Sequence, residues 1–349
     1  MGREWSSRER MEAAVRGEEP DRVPVWPQIY AYAPRVCGML FSQYCTGSRN
    51  LVKAQLEALE LFGYDAVGAY PDITIEAEAI GSRVHVPRDE IPEVREPLVV
   101  DPSDLDSLHF PDPRQDGRMP MVLDSIRMLV EKTRGELMVF SGFQGPFSLC
   151  CHLRGLSQFI VDLYTNQSFA RDMLKIVKEI LMTYAEAQIA AGAHVIEIGD
   201  SSSQMLSPHQ FREFAFPPLE EVMAAIDSQG ALSALHICGD TNHILDDMAR
   251  SGAHLLELDT AVNLSEAKQR VGNRVCILGN LDPVGVLLQR TEREVIEGSL
   301  SLITSTAPGG GYILSAGCEP PLATPSENIR AMVDACRRFG AYPIRRLEA

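Results

Sequence analysis

The chain carries no excess of positive charge: 32 Lys and Arg stand against 48 Asp and Glu, a formal net charge of −16. That balance argues against a general nucleic-acid binder, which needs a basic surface to neutralise phosphates. No apolar run is long enough to cross a bilayer. The first ten residues are charged and lack the hydrophobic core of a signal peptide, so the expected location is cytoplasmic. In that compartment the eight cysteines are expected as reduced thiols, not as a disulfide framework. Low-complexity runs are absent, which removes a disordered reading. There is no G-x-G-x-x-G between a first strand and a helix, and no Walker A motif. Gly309-Gly310-Gly311 follows a helix and precedes a strand, the wrong end for phosphate binding, and reads as a turn.

What is present is a large apolar fraction, 45% of 349 residues, enough for two ordinary domains or one large α/β barrel. Apolar runs that read as strands recur at Val23–Trp26, Asp65–Tyr70, Leu137–Gly142, His194–Ile198, Leu232–Ile237, Leu255–Leu258, Val275–Leu278 and Tyr312–Ser315. Nearly all are followed by a helical stretch, among them Arg49–Phe62, Ser168–Ala191, Glu292–Ser305 and Ser326–Arg338. The helix begun at Ser207-Pro208 is expected to break at Pro217-Pro218. Eight β-α units predict a parallel sheet closed as a (β/α)8 TIM barrel, one domain over 1–349. The Pro-, Asp- and Glu-rich region 74–113 reads as a small insertion over one end, a hairpin plus an extended segment.

Such barrels build their chemistry at the carboxyl ends of the strands. Those positions hold Asp72, Gln144, Asp200, His236, Cys238, Asp259, Asn280, Asp282, Cys318 and Glu319. Each acid alone is equally a helix cap or turn residue. His236 and Cys238 lie two apart on one strand and so share a face. With Cys318 beside them they would form a three-ligand site with a fourth position open, the pattern of a catalytic zinc. The competing reading is a lone reactive Cys238 activated by His236.

Several stretches raise a family. They are Arg8-Glu9-Arg10 with Gly17 to Val25, Glu76-Ala77-Glu78-Ala79-Ile80-Gly81, Gly145-Pro146-Phe147, Asp200 followed by Ser207-Pro208, Gly279 to Pro283, and above all His236-x-Cys238 and Gly317-Cys318-Glu319-x-Pro321. The chain resembles the uroporphyrinogen decarboxylase superfamily. Within it, the chain is similar to the corrinoid-dependent methyltransferase branch, the methylcobamide:coenzyme M methyltransferases. The decarboxylases carry an arginine-rich segment after the first strand. Here Trp26 to Arg35 holds only Arg35, which disfavours a polycarboxylate porphyrinogen as substrate.

The resemblance implies methyl transfer between a cobalt corrinoid, carried by a partner corrinoid protein, and an acceptor at zinc held by His236, Cys238 and Cys318. A thiol such as coenzyme M is the expected acceptor. Asp200 and Glu319 are expected to orient His236 or act on substrate, and Asp72, Gln144, Asn280 and Asp282 to bind substrate or cofactor. Reverse demethylation of a methoxylated or methylated molecule onto cob(I)alamin, a tetrahydrofolate-linked reaction and a non-catalytic zinc-binding paralogue remain open at this point.

Overall fold

The computed structural model describes residues 5–344. Nine strands form: β1 Ala66–Gly68, β2 Val84–His85, β3 Glu93–Val94, β4 Met138–Gln144, β5 Val195–Gly199, β6 Leu232–Ile237, β7 Leu255–Leu258, β8 Cys276–Leu281 and β9 Tyr312–Ala316. Seven make one sheet in the order β1-β4-β5-β6-β7-β8-β9, with every neighbouring pair parallel. These strands are apolar on both faces because helices cover the outside and side chains fill the inside. All seven residues of β4 are buried, for example.

The expected first strand is present as a bridge, not a strand. Val25 pairs with Leu314 of β9 in parallel, and its carbonyl accepts from Asp65 N at 2.9 Å just before β1. The segment therefore closes the sheet into a (β/α)8-type barrel between its two ends. Pro24 has no N–H to extend the ladder, so regular pairing stops after one bridge. The helix of Pro208–Gln210 and Phe216–Ser228 does not break at its prolines. A widened π turn over Phe211–Ala215 joins the two parts and absorbs the missing donors of Pro217 and Pro218.

The region 74–113 holds the β2–β3 hairpin and a 3₁₀ turn at Pro102–Ser107, joined to the barrel where Val99 N donates to Leu153 O at 2.9 Å. It also holds a helix, Ile75–Ile80, whose six residues are too few to leave a periodic trace in the sequence. That helix buries Glu76 completely, and neither carboxylate oxygen has a hydrogen-bond partner among the described residues. Burial pushes the Glu76 carboxyl up to about 8.

The folded chain thus keeps a proton that the unfolded chain releases near pH 4.5. Stability from this group is complete at acid pH and falls as pH rises through that window towards 8. Glu76→Gln removes the titration. Its stability relative to wild type is expected to improve by roughly 3 kcal/mol between pH 5 and pH 8. Urea unfolding of both proteins at the two pH values checks this, and a constant difference would refute it.

Candidate metal centre

His236 lies at the end of β6 and points inward, Ile237 packs into the core, and Cys238 returns to the inner side. Gly239 turns the chain away at φ 84°, and any Cβ there would stand 2.6 Å from the Gln204 amide nitrogen. Cys318 follows β9 after Gly317, where a Cβ would meet Thr260 N at 2.7 Å. The two strands are not neighbours, yet their side chains converge across the mouth. Cys238 Sγ and Cys318 Sγ stand 3.9 Å apart, and His236 Nε2 is 2.9 Å from Cys238 Sγ. One donor atom from each residue falls within 4.8 Å of the others.

This donor set fits zinc. Two sulfurs each about 2.3 Å from a tetrahedral ion stand about 3.8 Å apart. His236 Nδ1 lies 3.2 Å from Glu257 O and donates its proton there, so Nε2, facing the sulfurs, is the atom that would bind an ion on giving up its own proton. Burial alone would lower His236, but its hydrogen bond to Cys238 and the charges of Cys238, Glu257 and Glu197 raise it to about 10. Hydrogen bonding from Cys318 and His236, and from Ser201 Oγ at 3.2 Å, outweighs burial and holds Cys238 down as a thiolate. Cys318 is raised by its hydrogen bond to Cys238 and by burial. The three groups together already favour a negative sulfur at neutral pH.

Two buried carboxylates that the strand-end reading passed over stand beside the cluster. Glu257 pairs in register with His236, and its Oε2 is 3.8 Å from the imidazole Nδ1. It accepts from Gln28 Nε2 at 2.7 Å. Glu197 on β5 accepts from the Tyr30 hydroxyl. Burial raises both carboxyls; Glu197 raises Glu257 further and the charge of Cys238 raises both, while His236 pulls both down. Gly68 makes room for Tyr30, since a Cβ there would lie 2.2 Å from its ring. The signal was legible. Val195-Ile196-Glu197-Ile198 and Leu255-Leu256-Glu257-Leu258 place an acid inside an apolar strand, where it is costly without polar company.

The other expected residues are placed as follows. Asp200 N donates to His236 O, but its carboxylate accepts from Ser148 N at 2.7 Å. It thereby supplies the cap that Gly145 lacks for the helix Pro146–Arg154, and burial raises it to about 6. Glu319 Oε1 accepts from the backbone N–H groups of Tyr30, Ala31 and Tyr32. Burial raises it to about 7 against the pull of those donors. Glu319 thus clamps the segment that carries Gln28 and Tyr30. No hydrogen bond among the described residues joins either carboxylate to the His236 ring.

Asp72 pairs with Arg118 at 2.5 Å, and Asp282 caps Val284 and Gly285 at 2.9 and 2.7 Å. Asn280 donates to Asp259 O and Val262 O, and Asp259 caps Ala261. Gln144 is buried with its Oε1 unpartnered. These five sit at the same end of the barrel, and among them only Gln144 presents an uncommitted buried oxygen.

The model of the uroporphyrinogen decarboxylase (URO-D) family matches residues 6–339. The chain belongs to that family. It is 27% identical to a methylcobamide:CoM methyltransferase from Methanosarcina acetivorans, over 96% of this chain and 99% of the relative. It is 28% identical to a uroporphyrinogen decarboxylase from Anaeromyxobacter dehalogenans, over 95% and 99%. Among solved structures, a methyltransferase from Methanosarcina mazei superposes with a TM-score of 0.88 at 28% identity, covering 96% of this chain and 99% of that one. Identity alone therefore does not separate the two branches of the URO-D family, and the site has to.

Proposed function

We propose that this URO-D family member is a zinc-dependent methyltransferase that moves a methyl group from a protein-bound methylcobamide to a thiol. The observation that carries this reading is the convergence of His236, Cys238 and Cys318 at the catalytic end of the barrel. Three protein ligands leave one coordination position for a substrate. When bound there, zinc would hold the acceptor's sulfur as a thiolate at neutral pH.

The protein's own part is to fix the donors. Glu257 O orients the imidazole, Ser201 supports the Cys238 sulfur, and Glu319 holds the segment bearing Gln28 and Tyr30 over the site. The thiol loses its proton to solvent on binding. Its sulfur then forms a C–S bond with the methyl carbon while the Co–C bond breaks. The electron pair of that bond stays on cobalt, which leaves as cob(I). Apolar side chains on three loops of this end, Ile73, Met205 and Val284, are 44%, 52% and 46% exposed and offer a rim for the corrinoid protein.

The decarboxylase reading gains nothing from Arg35, whose side chain is 46% exposed and faces Asp89 at 3.8 Å. Purified protein incubated anaerobically with methylcob(III)alamin and a simple thiol is expected to convert it to cob(I)alamin, read from its absorbance. Conversion that does not depend on added thiol would overturn the assignment.

A further inference from the structure

Cys318 is followed at once by Glu319 and then by Pro320-Pro321. One oxygen of Glu319 accepts from three consecutive amides, those of Tyr30, Ala31 and Tyr32. Three main-chain donors on one acceptor fix a stretch of backbone, which matters most where no regular pairing does so. Residues 26–32 lie outside every helix and strand. Single bonds hold the stretch on either side: Trp26 N donates to Leu314 O at 2.9 Å, and Ile29 O accepts from Gln55 Nε2 at 2.7 Å.

The stretch delivers Gln28 to the ligand set. Gln28 sits at φ 56°, a region that a residue with a side chain keeps only where its surroundings impose it. It is 4% exposed, and its Nε2 donates to Glu257 Oε2 at 2.7 Å. Glu257 in turn accepts the His236 Nδ1 proton at its main-chain carbonyl, 3.2 Å away. A chain of contacts therefore leaves Cys318, crosses the mouth through Glu319 and residues 28–32, and returns through Gln28 and Glu257 to His236. In the sheet itself β7 and β8 stand between the two strands that carry these ligands.

We infer that Glu319 is a positioning residue: by pinning residues 30–32 it sets Gln28 on Glu257 and so holds the His236 imidazole in register with Cys318 before an ion arrives. This rests on the metal-centre reading above and goes beyond it, since Glu319 itself need never touch the ion. The work is that of a hydrogen-bond acceptor of fixed reach, not of a charge. A glutamine at this position keeps the reach, whereas an aspartate keeps the charge and gives up one methylene of reach. Ligands that are not held in place have to be ordered when the ion binds, and the affinity falls by that cost.

Two measurements on the full chain test it: zinc affinity, by competition with a chromophoric chelator, and hydrogen exchange of amides 30–32 in the metal-free protein. Glu319→Ala and the milder Glu319→Asp are each expected to weaken zinc binding about tenfold and to speed that exchange by about tenfold. Glu319→Gln should stay close to wild type on both. Gln28→Ala is expected to weaken zinc about tenfold, and Glu319→Ala added to it to weaken zinc no further, because the two act along one path. Wild-type zinc affinity in Glu319→Ala or Glu319→Asp overturns the inference, as does a glutamine variant as weak as the alanine. So does a double variant weakened about a hundredfold, the product of independent effects. Those outcomes strike this inference alone, whereas wild type that binds no zinc strikes the metal centre and this inference together.

Discussion

Cys318→Ala is expected to purify with little zinc, where wild type holds about one ion per chain, and to lose methyl transfer by at least a hundredfold. Three protein donors would hold the ion, and Cys318 is the one contributed from the far side of the mouth. Structural zinc sites bind with about 10–16 kcal/mol in all. One ligand of three or four then accounts for roughly 3–5 kcal/mol, a factor of about 10²–10⁴ in affinity. The fold should survive, because Cys318 lies beyond the end of β9 and is only partly buried.

The comparison that gives this experiment its force is with Cys336→Ala. Cys336 is fully buried on the helix Ser326–Phe339, remote from the ligand set, and its loss should leave zinc content unchanged. Metal analysis of the two variants beside wild type, with methylcobalamin turnover on the same samples, separates a ligand from a merely buried thiol. Full activity in Cys318→Ala would refute the zinc mechanism. It would favour the alternative in which Cys238, lowered by its neighbours, acts alone with His236.

How much of this was legible depended on whether a residue's partner lay nearby in the chain. His236 and Cys238 declare themselves through two-residue spacing on a strand, and β-α alternation places Cys318 at the same end. Acids just past strand ends are ambiguous by nature. Asp282 and Asp259 find local backbone donors, and Asp200 finds a helix 52 residues back in the chain, so their types alone do not separate cap from catalyst. Glu197 and Glu257 have no such local solution, and their setting inside apolar strands was the stronger clue.

Gln28 and Tyr30 leave no trace at all in periodicity. They come from an irregular segment, with Gln28 at φ 56°, and reach the site only because Glu319 gathers the backbone of residues 30–32. The barrel's closure was similarly half visible. The apolar run Val23–Trp26 marks the position, but Pro24 hides how few backbone bonds hold it.

That sparse closure makes Asp65 the residue whose loss should cost the fold most. It is buried, with a side chain 1% exposed, and receives Arg10 Nη1 at 2.8 Å and Arg22 Nη1 and Nη2 at 2.8 and 2.9 Å. It also accepts from Ser7 Oγ at 2.8 Å and from Val25 N at 2.9 Å. One carboxylate therefore ties the first helix, Ser7–Val15, and the closing segment to the start of β1. Asp65→Ala takes the carboxylate from Arg22, leaves Arg10 with Asp21 alone and unpairs the Val25 amide at the seam. Breaking a buried ion pair from one side costs about 3–5 kcal/mol, which for a barrel of this size lowers the melting temperature by roughly 4–7 °C.

An exposed pair gives the scale. Arg293 and Glu297 are 87% and 58% exposed, and Glu297→Ala should shift stability by less than about 0.5 kcal/mol. Thermal unfolding followed by circular dichroism checks both, and equal shifts would show that the Asp65 network does not latch the barrel. Below its melting point Asp65→Ala should still bind zinc, since β6 and β9 supply the ligands. Its transfer rate should nonetheless fall, because the loosened segment from Val25 leads within five residues to Gln28 and Tyr30, which brace the two glutamates beside the His236–Cys238–Cys318 cluster.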